Sequence, residues 1–339
     1  MVAKLFEPQV VRLADDQLTV AGQCRNSTGL PLWPEVMKLC RELYRRAALV
    51  RPIGSRKPIG RIRCSVLKIA VCQLPLNIEA PEENLRLATS TIREAARLGA
   101  KLIVLPELTN SGYVFAEIAE LTARATTLDG PVVKEWSALA HELGITIVGG
   151  LAIAEGGKFF NTSVIVDETG LRGSYRKVHF WNDEPDFFTP GTDEPLVVDT
   201  KFGRLATMVC YDLEFTEWVR LAMLADAVIL AIPTNWPDGG LSTDPTPMES
   251  VRVQAAASQN KLVIAAADRT GTERGVRWSS ASVIADCDGV IRAISDRNRL
   301  NEMQILIADV EIPTDRKVGP RNDVRSDRRP ELYGKVLRK

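Results

Sequence analysis

The chain has 339 residues, 45% of them hydrophobic, with 43 Lys plus Arg against 43 Asp plus Glu. That length supports one large domain or two small ones, and the even charge gives no hint of a nucleic-acid or anionic-membrane partner. Six scattered cysteines without a CxxC pair argue against a disulfide framework or a zinc site, and only His141 and His179 could supply a histidine base.

Residues 1–64 read as an extension with no chemistry of their own. Their start lacks the long apolar segment of a signal peptide, so a reducing cytoplasm is the expected location. Within them, Pro34–Val50 has Val36, Leu39, Cys40, Leu43 and Ala47 on one helical face, followed by a basic Pro/Gly linker from Arg51 to Arg63. Regular alternation begins at Val66. "VLKIAVCQL" reads as a strand, "PEENLRLATSTIREAARLG" as a helix stopped by Gly99, and "KLIVLPE" as a strand buried on both faces. Pro131–Leu143 reads as a helix, "ITIVGGLAIA" as a strand, and "KFFNTSVIVDETGLRGSYRKV" as two strands about a turn.

Next come "LATMVCYD" as a strand, Phe215–Leu224 as a helix, "DAVILAIPTNW" as a strand and Met248–Asn260 as a helix. "KLVIAAAD", a hairpin around Asp286–Gly289 and "MQILIADV" complete residues 65–313, leaving a charged tail over 314–339. The most apolar stretch, Leu221–Pro233, is short and contains Asp226, so no membrane span is expected. Early βα units followed by hairpins predict an α/β domain, a mixed sheet with helices outside.

Glu107, Lys177 and Cys210 each end a strand-like run. Taken singly, they read as a solvated loop carboxylate, a hairpin surface lysine and an inert core thiol. Together they make chemistry, because ligands gather beyond strand ends in such sheets. A thiol attacks as thiolate and needs a base or a cation. Glu107 can take the proton, and Lys177 can stabilise the thiolate and then an oxyanion.

"VLPELTNSGY", "YRKVHFWNDEPDFFTPG" and "MVCYDLEFTEWVR" resemble the three signature segments of the nitrilase superfamily, the carbon–nitrogen hydrolases. The resemblance covers roughly Leu67–Val310, in the family's order. It implies a four-layer αββα sandwich that assembles as a homodimer or higher homo-oligomer, with neither cofactor nor metal. It implies Glu107 as general base, Lys177 as electrostatic stabiliser and Cys210 as nucleophile, acting through a thioester. Glu184 would orient substrate and lysine, with Asp183 as its rival. The backbone N–H of Tyr211 would complete the oxyanion site. Tyr113, Phe115, Trp181, Asn235 and Trp236 are expected around the pocket.

More modest readings attach to the neighbours. Glu217 and Arg220, three apart on a helix, suggest a structural ion pair. His179 reads as a hydrogen-bonded structural residue, and Asn161 as fixing backbone near the site. Two positions depart from the resemblance: Thr216 stands where relatives often have proline, and Asp268 where many have asparagine. "CYDLEF" resembles amidase branches more than true nitrilases. The expected substrate is therefore a small carboxamide, ahead of a carbamoyl amide and a nitrile. A catalytically silent interaction protein is the non-enzyme alternative, and its signature would be loss of the triad.

Overall fold

The computed structural model describes residues 65–239 and 246–336. The expected helix at Pro34–Val50 and its linker lie outside the described residues. Strands β1 (Val66–Gln73), β2 (Leu102–Val104), β3 (Thr146–Glu155), β4 (Lys158–Asp167), β5 (Gly170–Arg176) and β14 (Gln304–Glu311) form one sheet, in the order β14-β1-β2-β3-β4-β5. The other comprises β6 (Leu196–Thr200), β7 (Gly203–Thr207), β8 (Ile229–Pro233), β9 (Val263–Ala267), β12 (Val283–Ala285) and β13 (Ile291–Ile294), in the order β13-β12-β9-β8-β7-β6. The central strands β1-β2-β3 and β7-β8-β9 run parallel and their flanks antiparallel. A two-residue ribbon, β10 (Thr272–Glu273) with β11 (Val276–Arg277), stands apart.

Side-chain alternation builds the layers. Along β1, Leu67, Ile69 and Val71 enter the core between the sheets, with Leu205, Ile229, Val263 and Ala265 from the other side. Ala70 and Cys72 point the opposite way, beneath helices α1 (Pro81–Arg97) and α3 (Pro131–Leu143). Helix α1 buries Asn84, Ala88, Thr91, Ile92 and Ala95, a single helical stripe. Ala206, Leu230 and Ile264 form the matching outer core under α5 (Thr216–Leu224) and α6 (Met248–Asn260). The layers are thus α, β, β, α, as the resemblance implied. Periodicity alone pointed to one mixed sheet, because both halves carry similar apolar strands and nothing local assigns a strand to a sheet.

Helix α2 (Ile118–Arg124), the single turn α4 (Glu184–Phe187) and strand β6 were not anticipated from sequence. The Glu217–Arg220 ion pair does not form. Arg220 donates to the carbonyl of Gln259 at 3.0 Å, satisfying a carbonyl in the last turn of α6, while Glu217 accepts from Thr216. The charged tail is docked through its arginines. Arg316 donates to the carbonyls of Ala227 and Lys261, and Arg325 to the carbonyl of Leu224 at 3.1 Å. These lie at or just beyond the C-terminal ends of α5 and α6, where cations are favoured. Among the described residues no helix is long and apolar enough to cross a membrane.

Candidate active site

Glu107 lies three residues beyond β2, in a turn where Leu108 adopts a left-handed backbone, φ 51°. The Glu107 N–H donates to Thr234 O at 3.3 Å, and Asn235 Nδ2 donates to Glu107 O at 2.9 Å. The turn is thereby tied to the end of β8 in the opposite sheet. Gly150 packs directly against it: a β-carbon there would lie 2.5 Å from the Glu107 Cα, so only glycine fits. Lys177 follows β5, its N–H held by Asn161 O at 2.8 Å.

The two side chains meet with no solvent exposure. Lys177 Nζ donates to Glu107 Oε1 at 2.8 Å and to Glu184 Oε1 at 2.8 Å. Asn161 Nδ2 bridges the same carboxylates, 2.7 Å from Glu107 Oε1 and 2.9 Å from Glu184 Oε1. The reading of Asn161 as a backbone anchor is therefore incomplete, since its side chain joins the two acids. Glu184 Oε2 accepts the Trp181 N–H at 2.6 Å, whereas exposed Asp183 has no such contact. Glu107 Oε2 is buried without a hydrogen-bond partner.

Burial pushes the Glu107 carboxyl up to about 7, against the pull of the Lys177 charge. Burial opposes the Lys177 ammonium, yet Glu107 and Glu184 hold it well above the usual lysine range. Burial and the Glu107 charge raise the Cys210 thiol, while Lys177 and the Asn235 backbone N–H pull it down. The resting arrangement is thus a protonated thiol beside a carboxylate that titrates near neutrality. Such a carboxylate suits general-base work.

The run Leu205–Val209 does not remain a paired strand up to the thiol. The ladder stops at Thr207, and Cys210 opens a 3-10 turn, Cys210–Glu214, at φ 48°. Asp212, fully buried, fixes that turn. Its Oδ2 accepts from the Val209 N–H at 3.1 Å and Tyr175 Oη at 2.8 Å. Its Oδ1 accepts from the His179 N–H at 3.0 Å and lies 2.7 Å from His179 Nδ1. One carboxylate therefore links the segment after Lys177 to the segment before Cys210. His179 also stacks on Phe215 at 3.7 Å.

A cleft of about 650 Å³ opens at Cys210, lined among others by Trp181, Tyr211, Glu214, Trp236 and Arg252. A smaller cavity of about 110 Å³ is lined by Tyr113, Phe115, Trp181, Glu184, Phe188 and Trp278. Trp181 borders both. Asn235 lines neither, because its amide is committed to the Glu107 carbonyl. Asp268 is fully buried and accepts the N–H groups of Trp236, Arg269 and Ala281, each at 2.9 Å. It is scaffold beneath the cleft wall. Sequence reasoning missed the buried Arg269–Glu273 pair, whose carboxylate receives the N–H groups of Ile78, Tyr113 and Val114. No group of three or more His, Cys, Asp or Glu among the described residues is arranged to hold a metal ion.

Residues 68–318 match the family described as carbon-nitrogen hydrolase. The chain belongs to the carbon–nitrogen hydrolases, the nitrilase superfamily. A nitrilase from Pyrococcus abyssi is 30% identical over 269 residues, covering 79% of this chain and 99% of the relative. A citrullinase from Francisella tularensis is 30% identical over 290 residues, covering 80% and 99%. The crystal structure of an amidase from Nesterenkonia sp. superposes with a TM-score of 0.66 at 28% identity, covering 81% of this chain and 98% of that one. A further structure, of a glutamate-to-glutamine mutant of the amidase from Nesterenkonia sp. AN1, 26% identical, with a TM-score of 0.66 and covering 80% and 100%, shows the result of Michael addition of acrylamide at its active-site cysteine. This carbon–nitrogen hydrolase is an amidase-like enzyme.

Proposed function

We propose that the enzyme hydrolyses a small carboxamide to its carboxylic acid and ammonia through a thioester on Cys210. Glu107 takes the thiol proton as the sulfur attacks the amide carbon. The oxyanion is stabilised by the Lys177 ammonium and the Tyr211 backbone N–H. Glu107 returns the proton to the departing nitrogen, and ammonia leaves. It then deprotonates a water that attacks the thioester, and the released thiolate is reprotonated. Glu184 orients Lys177. Trp181, Tyr211 and Trp236 flank the substrate in the larger cleft, and Tyr113 lines the smaller cavity.

One observation carries this reading: Glu107 shares its Oε1 with Lys177 and Asn161, keeps Oε2 without a partner, and titrates at about 7. The acrylamide adduct in the Nesterenkonia mutant supports, by analogy, the nucleophilic role of the cysteine alone. The citrullinase relative favours a second reading, attack on a carbamoyl group by the same residues. The unbridged thiols of Cys72, Cys210 and Cys287 accord with a cytoplasmic protein, and a homodimer is the assembly we favour.

Ammonia release from a panel of small amides, N-carbamoyl amino acids and nitriles tests the reaction. Turnover of carboxamides, abolished in a folded Cys210→Ala variant, is the expected result. Retained activity in that variant would remove the nucleophile assignment.

A further inference from the structure

We propose that Asn161 is a positioning residue for the reaction, its side-chain amide confining the proton that the base takes up to Glu107 Oε2. This rests on the amidase reading and adds a residue to it. Asn161 lies in mid-strand on β4 and is buried. It pairs with Ala152 of β3 on one side, and on the other its carbonyl accepts the Lys177 N–H at 2.8 Å. Its Nδ2 donates to Glu107 Oε1 at 2.7 Å and to Glu184 Oε1 at 2.9 Å. Lys177 Nζ meets the same two oxygens, each at 2.8 Å. The four groups close a ring of two donors and two acceptors. Glu107 Oε1 therefore receives two hydrogen bonds, which lower its basicity, while Oε2 receives none. A proton taken from the thiol then settles on Oε2.

The cost of this arrangement falls on Asn161 itself. Its Oδ1 is buried without a hydrogen-bond partner, which an amide serving only the fold would avoid. Turning the amide over would set Oδ1 against two carboxylate oxygens, acceptor against acceptor. A serine would bring one donor where two are used, and an aspartate a third negative charge. The charged and titratable groups around Glu107 are Lys177 after β5, Glu184 on α4, the Tyr113 phenol in the segment after β2 and the Cys210 thiol after β7. From β3 and the end of β8 come Gly150, Thr234 and Asn235, which carry no charge. Burial raises the Glu107 carboxyl, the Lys177 charge lowers it and the Glu184 charge raises it; hydrogen bonds from Lys177 and Asn161 then lower it. Removing the Asn161 donor should therefore make Glu107 harder to ionise.

The test follows two rates against pH. One is kcat/KM for a small carboxamide. The other is alkylation of Cys210 by iodoacetamide, read on the peptide carrying that cysteine by mass spectrometry. Both need Glu107 ionised, so both should rise through about 7 in the wild type. In Asn161→Leu, of nearly the same shape, both limbs are expected about one to two pH units higher, the range for one lost hydrogen bond to a charged group. Most of the high-pH plateau should be kept. Asn161→Ser, which retains a donor, should shift the limbs less. Limbs that stay at about 7 in Asn161→Leu, whatever the height of the plateau, make Asn161 scaffold and overturn the proposal while leaving the amidase reaction intact; so does the absence of a limb near 7 in the wild type. A shifted alkylation limb without turnover of any amide supports the positioning role and removes the proposed reaction. If the leucine variant does not fold, Asn161→Asp decides by the same upward shift, since its carboxylate has no proton to donate.

Discussion

Lys177 and Arg269 are both fully buried cations held against carboxylates, yet their surroundings differ. Glu273 commits both oxygens, Oε1 to Arg269 and the Ile78 N–H, Oε2 to the Tyr113 and Val114 N–H groups. Arg269 also lies 4.7 Å over the Trp278 ring, which faces Tyr113 edge-on. That pair fastens a cavity wall to the backbone. Glu107, by contrast, keeps one oxygen unpartnered and a carboxyl that burial has moved to about 7. Burial and pairing are common to both clusters. Uncommitted acceptor capacity beside the proposed nucleophile is what separates the proposed reactive cluster from the structural one.

The largest effect should come from Glu107→Gln. It should lower kcat by about 10²- to 10⁴-fold, the usual worth of a general base. It should also erase a pH dependence. The base must be ionised, so wild-type kcat/KM should rise with pH through about 7 and stay high until the raised thiol itself titrates. If that limb persists in the Gln variant, Glu107 is not its source and the contrast with Glu273 collapses.

Glu273→Ala should act mainly on stability. It strands Arg269 as an unpaired buried charge, a change that costs about 3–5 kcal/mol, readable by urea unfolding. Residual activity should show a raised KM before a lowered kcat, because the Tyr113 segment loses its anchor. A fall in kcat as deep as that of Glu107→Gln would place Glu273 in the chemistry instead.

Asp268→Asn should show itself as a change of slope. Burial raises the Asp268 carboxyl from 3.8 to about 8. A raised acid gives stability that is complete below 3.8 and lost as pH rises towards about 8. The variant should therefore show a flatter Tm against pH across that window. A parallel curve would mean that the three backbone N–H groups hold the carboxylate ionised throughout.

Glu107, Lys177 and Cys210 were legible as candidates because each follows a strand-like run, and residue type at a strand end is a local signal. The turn holding Cys210 was not legible: Met208 and Val209 continue the apolar pattern after pairing has stopped at Thr207. Asn161 looked like a backbone anchor because its partners, Glu107 and Glu184, lie 54 and 23 residues away. The Arg220 contact, 39 residues distant, displaced a plausible local ion pair for the same reason. From the residues alone only a mixed sheet followed; the family resemblance supplied the second sheet.

The left-handed backbone at Cys210, φ 48°, bears on which side chains could replace the thiol. Any β-carbon is crowded there, at roughly 1–2 kcal/mol, and a branched one more so. Serine has the shape of cysteine and keeps that cost constant, whereas threonine adds a second heavy atom where the carbonyl already presses. A switch from sulfur to oxygen chemistry at this position would therefore run through serine. Threonine would require the turn to be rebuilt first.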